Sequence, residues 1–313
     1  MEFGLHLPDA GALATREGLL AYARLAEEAG YASVWSSDHI AWPDPAQVTS
    51  KYPYAAPSDA DANAGFPPAG SPWLDCLASL QFVAGVTERV RLGTTVLIIG
   101  YRGALQQAKS WASLDHLSGG RAILGVGVGW MKEEFEAIGM PWDRRGERAD
   151  ETLEIFERLW ADESVSFSGP FTSFGPIGFS PKPVNGRIPV WVGGHTGAAF
   201  RRTARYGDAF HSAFCTPERL KTEWDGVGEA CDAIGRNRAE IELTMLCTLR
   251  FDAESNRPGV LHGSNEQVID QLGAYAEIGV THTVVFVAAG GGLEGRLDAI
   301  RRFAEDVAPQ FAG

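Results

Sequence analysis

The chain has few cysteines and none of the spacings that hold metals or form paired redox sites. Its four cysteines are scattered over 313 residues without a CxxC pair: Cys76, Cys215, Cys231 and Cys247. Isolated thiols of this kind are typical of buried, reduced side chains. The sequence therefore predicts neither a disulfide framework nor a metal site.

Basic residues are also scarce. Lys and Arg together number 27 against 40 Asp and Glu, which gives a formal net charge of -13. An acidic surface repels nucleic acid and anionic membranes, so we expect neither as a partner. An anionic ligand must then be held locally, by backbone amides or a few arginines.

Long apolar runs and several catalytic motifs are missing as well. No stretch reaches the length of a membrane span, and the N-terminus, MEFGLHLPDAG, lacks a basic segment followed by an apolar one. We therefore expect a cytoplasmic protein. There is no GxSxG, HExxH or P-loop sequence, so hydrolase and kinase functions have no support.

What the chain does contain is an alternation of strand and helix patterns. Residues 90–99 and 122–128 are apolar runs rich in β-branched side chains, and a helical pattern of about a dozen residues lies between them. Such a βαβ unit has parallel strands. Eight strands alternate with helices along the chain, which predicts an α/β fold, a (β/α)8 TIM barrel, as a single domain over residues 1–313.

Two segments interrupt this alternation, one after the second strand and one after the fourth. Residues 42–73 are rich in Pro, Ala and Asp but include Trp42, Tyr52, Tyr54 and Phe66. A loop of this length inside a compact domain is usually functional, and its aromatics favour a packed lid. Residues 165–183 contain several Gly, Pro and Phe residues, a pattern that predicts an inserted hairpin or loop.

Glycines follow the strand at 122–128. Gly125, Gly127 and Gly129 are spaced GxGxG rather than GxGxxG, and no strand with a ribose-binding acid follows at the usual distance, so we exclude a Rossmann site. Two explanations remain. The glycines either let a barrel strand pack closely or let the backbone approach a planar ligand.

A second glycine-rich turn, Gly193-Gly194-His195-Thr196, stands between a strand and the N-terminus of a helix. Free amides and the helix dipole at such a place bind phosphate, and barrel enzymes use βα loops in this way. The alternative is a tight turn in which Thr196 caps the helix.

Asp38 and His39 follow the second strand, where barrel enzymes keep catalytic groups. His39 could exchange protons near neutral pH or be structural, while Asp38 could bond a ligand ring or orient a neighbour.

Four arginines further along are expected to form surface ion pairs with nearby glutamates: Arg121, Arg144, Arg145 and Arg148 with Glu133, Glu134 and Glu147.

Five segments spread over nearly the whole chain carry a family resemblance: AEEAGYASVWSSDHI, RVRLGTTVLI, AKSWASLDHLSGGRAILGVGVGWMKEEFEAIG, RGERADETLEIFERLW and IPVWVGGHTGAAFRRTARYGDAFH. With them the chain resembles the bacterial luciferase-like superfamily, and specifically its coenzyme F420-dependent oxidoreductase branch. The SGGR–GVGVGW block is specific to the superfamily. The KYPY and SPWLD segments favour the F420 group over the FMN monooxygenases.

The resemblance implies a cofactor ring lying across the carboxyl end of the barrel. His39 is then a candidate proton donor, and Thr95-Val96 falls where such proteins bulge, often with a non-proline cis peptide. Trp42 and Trp130 would face the substrate. The implied cofactor-binding residues are Asp38 at the ring edge, Thr95 and Val96 beneath the ring, Gly127, Val128 and Gly129 along it, and Gly193, Gly194, His195 and Thr196 at its phosphate.

Trp130 is a departure from part of this branch. Its sugar-phosphate dehydrogenases have a catalytic Glu directly after GxG, where this chain has Trp130. An apolar or aromatic substrate is therefore expected in place of a sugar phosphate.

Three functions remain from the sequence. The first is hydride transfer between F420 and a small organic substrate, and the second is an FMN-dependent monooxygenase that works with a separate flavin reductase. The third is a non-catalytic protein that stores or senses the cofactor. The resemblance also implies a homodimer.

Overall fold

A computed structural model describes residues 1–44, 48–50 and 70–311. Eight of its strands form a closed parallel barrel in the order β1-β2-β3-β5-β8-β9-β10-β12, with β12 pairing back to β1. The strands are β1 Glu2–His6, β2 Ser33–Ser36, β3 Arg91–Thr94, β4 Leu97–Ile98, β5 Ala122–Gly127, β6 Ser164–Ser168, β7 Ser173–Gly178, β8 Val190–Gly193, β9 Ala209–Ala213, β10 Glu242–Phe251, β11 Val260–Gly263 and β12 Val280–Val287. The predicted TIM barrel is confirmed.

Helices cover the outside of this barrel, and capping residues account for several of their ends. Thr15 caps the first one by accepting a hydrogen bond from the amide of Gly18 at 3.0 Å, and Gly119, at φ 73°, ends the third. The helices are α1 Arg16–Glu28, α2 Cys76–Ala84, α3 Ala104–Ser118, α4 Lys132–Ala137, α5 Arg145–Ala161, α6 Gly197–Tyr206, α7 Pro217–Asp232, α8 Asn265–Ile278 and α9 Gly292–Arg302. Within the described ranges, no helix is both long enough and apolar enough to cross a membrane.

The strand predicted over residues 90–99 is broken in the structure. β3 ends at Thr94, β4 begins at Leu97, and the Thr95-Val96 peptide between them is cis, as the resemblance implied. Among the described strands, β4 pairs only with β5, so the chain is no longer in line with β3 at the mouth of the barrel. The sequence pattern also missed β11, which pairs in parallel with the far end of β10.

The two predicted insertions lie after the second and fourth barrel strands. β6 and β7 form an antiparallel hairpin between α5 and β8, which confirms the second. Of the first, residues 45–47 and 51–69 lie outside the described residues, and with them Tyr52, Tyr54 and Phe66, so the prediction of a packed lid stays a prediction. α2 follows this segment and begins at Cys76, where Asp75 caps it, and Trp73 is held by a bridge to Ala10.

The predicted ion pairing of the arginines holds only in part. Arg144 pairs with Glu147 at 2.6 Å, but Arg121 donates to backbone carbonyls of Ala84, Thr87 and Val90 and so ties α2 to β3. A guanidinium presents several donors in a rigid fork, which suits it to bridging carbonyls where two chain segments meet. The four cysteines are buried and free, as predicted.

The interior of the barrel is filled by aromatic and imidazole rings. Trp35 from β2 lies 4.7 Å from Trp191 and stacks on His211 at 5.5 Å with the planes 11° apart. Such a large ring fits only because β3 carries Gly93 opposite it, where a Cβ atom would overlap the indole. The described rings therefore fill the interior of the barrel, and along its axis a ligand can lie only above the carboxyl ends of the strands.

Replacement of Gly93 by Ala is expected to destabilise the protein by about 1–3 kcal/mol, because the added methyl overpacks the barrel against Trp35. Urea unfolding monitored by tryptophan fluorescence measures it. The control is Gly273→Ala in α8, where no described atom lies near the added methyl and helix propensity should raise stability by about 0.5–1 kcal/mol. Equal stability of the two variants would contradict this account of the barrel interior.

Candidate active site

Asp38 anchors the loop that follows β2. Its Oδ2 accepts from Arg102 Nη1 at 2.7 Å and from the amide of Ile98 at 3.0 Å, and its Oδ1 accepts from Arg102 Nη2 at 2.9 Å. Arg102 also reaches Asp75, the N-cap of α2, at 2.8 Å. The Asp38 side chain is fully buried, so here it fixes the loop. Contact with a ring edge stays a prediction.

His39, the next residue, is held by a buried glutamate. Its Nδ1 lies 2.7 Å from Oε2 of Glu134, which also accepts from the hydroxyl of Tyr101 at 2.5 Å. Oε1 of Glu134 accepts from the amides of Ile40 at 2.6 Å and Ala41 at 3.2 Å. Four donors therefore converge on one carboxylate.

These donors keep the carboxylate charged. Burial by itself raises the pKa of Glu134, but the hydrogen bonds from His39, Tyr101 and the amide of Ile40 outweigh it and leave the pKa below its usual range. An ionised carboxylate only accepts, so Nδ1 of His39 carries the proton. Its Nε2 is bonded by no described residue and is left for a ligand.

Glu134 was predicted to form a surface ion pair with an arginine, and that prediction is wrong. The signal was in the spacing: Met131, Glu134, Phe135 and Ile138 recur at helical intervals, which places the glutamate on the apolar side of α4. A carboxylate on an apolar stripe needs a buried partner. The neighbouring Glu133 instead accepts from the amide and hydroxyl of Thr49, each at 2.7 Å.

Tryptophans surround His39. Ring centroids of Trp42 and Trp73 lie 4.7 and 4.6 Å from its imidazole, both edge-on, and the two indoles stack on each other at 5.3 Å. Trp130, from the turn after β5, lies 6.4 Å away. The two predicted substrate-side residues, Trp42 and Trp130, are thus brought together with His39, while Trp73 was missed.

Val96 covers the glycines at the strand ends. A Cβ atom on Gly127 would lie 2.5 Å from Val96 Cγ2, and one on Gly193 would lie 2.8 Å from Val96 Cγ1. Gly129 has a φ of 78° and would likewise meet Ile98 and Phe135. Of the two explanations for these glycines, close packing therefore applies in the structure. Direct contact of Gly127, Val128 and Gly129 with a ring stays a prediction.

The turn from Gly193 to Thr196 joins β8 to α6. Thr196 occupies the N-cap position with extended backbone, but its side chain makes no capping hydrogen bond, so the amides of the first turn receive no side-chain acceptor from it. Arg201 folds back so that its Nη1 would lie 3.4 Å from a Cβ atom on Gly197. Uncapped amides beside a guanidinium suit an anion such as a phosphate.

His195 points from this turn toward α7. Its Nδ1 lies 2.8 Å from Oε1 of Glu223, a buried carboxylate that also accepts from Ser212 at 2.7 Å and from Arg219 at 2.8 Å. Burial raises the pKa of Glu223, but the bonds from His195, Ser212 and Arg219 leave it lowered overall. The bond between the His195 imidazole and Glu223 therefore fixes the turn from Gly193 to Thr196 against α7. Phosphate contacts by Gly193, Gly194, His195 and Thr196 stay a prediction.

Replacement of Glu134 by Gln should remove a pH-dependent part of the stability. Because the folded-state pKa lies below the ordinary value of 4.5, ionised Glu134 stabilises the fold fully above pH 4.5, and this contribution is lost as the pH falls through the lowered pKa. The gap in Tm between wild type and Glu134→Gln should therefore narrow from pH 6 to pH 3. Calorimetry measures it, with Glu136→Gln, an exposed site on the same helix, as control. A gap that stays constant would contradict the assignment.

Comparison with known proteins agrees with this architecture. The model of the luciferase-like monooxygenase family matches residues 1–257. A solved F420-dependent secondary alcohol dehydrogenase, in complex with an F420-acetone adduct, superimposes with a TM-score of 0.79 at 18% identity, covering 100% of this chain and 99% of the other.

Several curated relatives are similar in sequence. An uncharacterized protein of Mycobacterium tuberculosis is 36% identical over 189 residues, which are 60% of this chain and 63% of that protein. An F420-dependent glucose-6-phosphate dehydrogenase of Beutenbergia cavernae is 32% identical over 247 residues, 76% of this chain and 66% of the relative. An FMNH2-dependent dimethylsulfone monooxygenase of Pseudomonas putida is 31% identical over 153 residues, 48% of this chain and 42% of the relative.

The chain thus matches less than two thirds of the length of the first of these relatives. Among them are both F420-dependent and FMN-dependent oxidoreductases. The family model spans most of the barrel, from β1 through β10. By this match and by its closed parallel barrel, the chain belongs to the luciferase-like monooxygenase family.

Proposed function

We propose that this protein is an F420-dependent oxidoreductase that transfers a hydride between the deazaflavin and a small organic substrate, with His39 moving the accompanying proton. The observation that carries the proposal is the pair His39–Glu134 at the barrel mouth, with Nδ1 of His39 2.7 Å from Oε2 of Glu134 and the rings of Trp42 and Trp73 within 4.7 Å of the imidazole. The longer of the two cofactor-defined sequence matches, to the F420-dependent relative, supports the choice of cofactor.

The residues at the mouth fit a flat, phosphorylated ring. The uncapped first turn of α6 and Arg201 offer donors to a phosphate, and the turn from Gly193 to Thr196 would hold it. The apolar side chain of Val96 gives a floor on which a ring can rest, above the closed barrel interior. Asp38 would contribute by fixing the loop that carries His39.

Within this site the chain itself supplies placement and proton transfer. A bound deazaflavin would provide the hydride chemistry. His39, whose Nδ1 proton is held by Glu134, can take a proton from a substrate hydroxyl at Nε2 or return one to a carbonyl oxygen. The negative charge of Glu134 compensates the charge on the imidazole after it has taken up a proton. Trp42, Trp73 and Trp130 exclude water from the transfer.

The same tryptophans define the expected substrate. Trp130 stands where the sugar-phosphate dehydrogenases of the branch have a glutamate, and the indoles at 4.7 and 4.6 Å from His39 form an apolar wall. A small alcohol or carbonyl compound with an apolar or aromatic body therefore suits the site better than a sugar phosphate.

We also expect the protein to form a homodimer, which light scattering during gel filtration would test.

An FMN-dependent monooxygenase is the second candidate, favoured by the similarity to the dimethylsulfone monooxygenase. It would work with a separate flavin reductase. Oxygen consumption separates the two, since a deazaflavin reacts poorly with oxygen while a reduced flavin in a monooxygenase consumes it.

Titration of the purified protein with F420 and with FMN tests the proposal. We expect F420 to bind with a Kd of about 10 μM or below and FMN to bind at least about tenfold more weakly. Quenching of cofactor fluorescence measures both. Absence of F420 binding at these concentrations would remove the proposal, and oxygen uptake with reduced FMN would establish the second candidate instead.

Replacement of His39 by Asn should slow hydride transfer by about 10²–10⁴-fold, because the proton-transfer group is lost while the residues at the phosphate turn remain. Stopped-flow absorbance of F420 measures the rate, and the Kd for F420 should change little. His116→Asn, at an exposed position on α3, is the control. A cofactor-storing protein with no turnover would show no activity to lose in either variant.

A further inference from the structure

The buried imidazole of His211 lies beneath the break between β3 and β4. Its Nε2 is 2.9 Å from the hydroxyl of Thr95, and its Nδ1 is 2.8 Å from the hydroxyl of Thr244. His211 is 1% exposed, so it cannot touch a ligand at the mouth. A polar ring is costly to bury unless its nitrogens are hydrogen-bonded. The partners of those nitrogens therefore indicate what the ring does in the structure.

The direction of each hydrogen bond follows from counting protons. The hydroxyl of Thr244 donates to the carbonyl of Phe210 at 3.1 Å, so its only proton is used there. It can then only accept from His211, which must carry its proton on Nδ1. Nε2 of His211 is therefore an acceptor, and the hydroxyl of Thr95 donates to it.

His211 itself is held rigidly and stays neutral. It stacks on Trp35 at 5.5 Å and lies 5.6 Å from Trp191. Burial, together with a smaller effect of the neighbouring His282, lowers the pKa of His211 to about 3. The imidazole thus keeps its acceptor nitrogen at any pH at which the enzyme would work.

Because Thr95 is bonded to the rigid His211 ring, the position of the backbone that follows Thr95 at the mouth of the barrel is restricted as well. Its amide donates to the carbonyl of Ser36 at 2.9 Å, and Val96 follows with its methyl groups over Gly127 and Gly193. The amide of Ile98, two residues later, donates to Asp38. The position of the Val96 floor therefore depends on a side-chain bond from inside the barrel as well as on backbone pairing.

We propose that His211 is a positioning residue that fixes Thr95 from below and thereby sets the height of the Val96 floor on which the cofactor ring rests. The part concerning the cofactor rests on the proposed function. The part concerning the ligand-free backbone does not, and this separates the two in an experiment.

The closing experiment compares His211→Asn with His282→Asn, a matched control. His282 is equally buried, at 1%, and also contacts Trp35 and Trp191, but it bonds Ser33 and Glu2 and does not bond Thr95. Both variants should lower the Tm. In ligand-free protein, hydrogen exchange at the amides of Thr95 and Ile98 should be about tenfold faster in His211→Asn alone, which corresponds to the loss of one buried hydrogen bond.

A conservative variant provides the rescue. The terminal amide of Gln reaches about as far as Nε2 of histidine, whereas that of Asn reaches about as far as Nδ1. His211→Gln should therefore restore slow exchange at Thr95, and should also restore the F420 affinity that His211→Asn weakens by about tenfold. If His211→Asn does not fold, Thr95→Val removes the same bond from the other side and should give the same fast exchange.

Each result decides one of the two claims. Equal exchange at Thr95 and Ile98 in His211→Asn and His282→Asn would overturn the positioning role. Fast exchange in His211→Asn with unchanged F420 affinity would overturn the link to the floor. Wild-type protein that binds neither cofactor would remove the proposed function, while the exchange data would still decide whether His211 holds Thr95.

Discussion

The buried negative charge of Glu134 is the constraint on which the candidate site depends. A carboxylate taken out of water is costly unless donors replace the solvent, and here four do so, from Tyr101, His39, Ile40 and Ala41. These donors belong to two separate connections of the barrel, and the carboxylate belongs to a third, on α4. The charge can be accommodated only when all three lie at their native positions. The glutamate therefore orders the mouth and fixes the tautomer of His39 at once.

A second buried carboxylate, that of Asp38, acts in the same way and directly precedes His39 in the sequence. Asp38 is bound on both oxygens, by Arg102 and by the amide of Ile98, and Arg102 continues to the cap of α2. A bidentate guanidinium–carboxylate pair is directional as well as strong. Asp38 and His39 are thus bonded to different partners, Arg102 and Glu134. These bonds hold the loop at two successive residues and fix the orientation of the imidazole, whose Nε2 is bonded by no described residue.

The closed interior of the barrel beneath this mouth contains hydrogen-bonded polar side chains as well as apolar rings. Trp35 and Trp191 supply bulk, while His211 and His282 supply hydrogen bonds to Thr95 and Thr244 above and to Ser33 below. Buried polar networks of this kind specify one arrangement when every member is satisfied. The consequence is a rigid support for the break at Thr95-Val96, where the chain leaves the regular barrel and Val96 covers Gly127 and Gly193.

The sequence by itself determined the barrel, several helix ends and the two places where the alternation of strands and helices is interrupted. These depend on local patterns: the alternation of strand and helix periods, the caps at Thr15 and Gly119, and the glycine turn before α6. The family resemblance added the break at Thr95-Val96 and the grouping of Trp42 and Trp130 with His39, which no local pattern indicates.

Only the tertiary structure decided the partners of the buried polar groups. His39 and Glu134 are 95 residues apart, Asp38 and Arg102 are 64 apart, and Thr95 and His211 are 116 apart. Local pattern assigned Glu134 to a surface ion pair because a charged residue is normally solvated. It becomes a buried acceptor because barrel closure brings α4 and the loop after β2 to the same rim. Burial and pairing are properties of that closure, and the order of residues along one segment does not contain them.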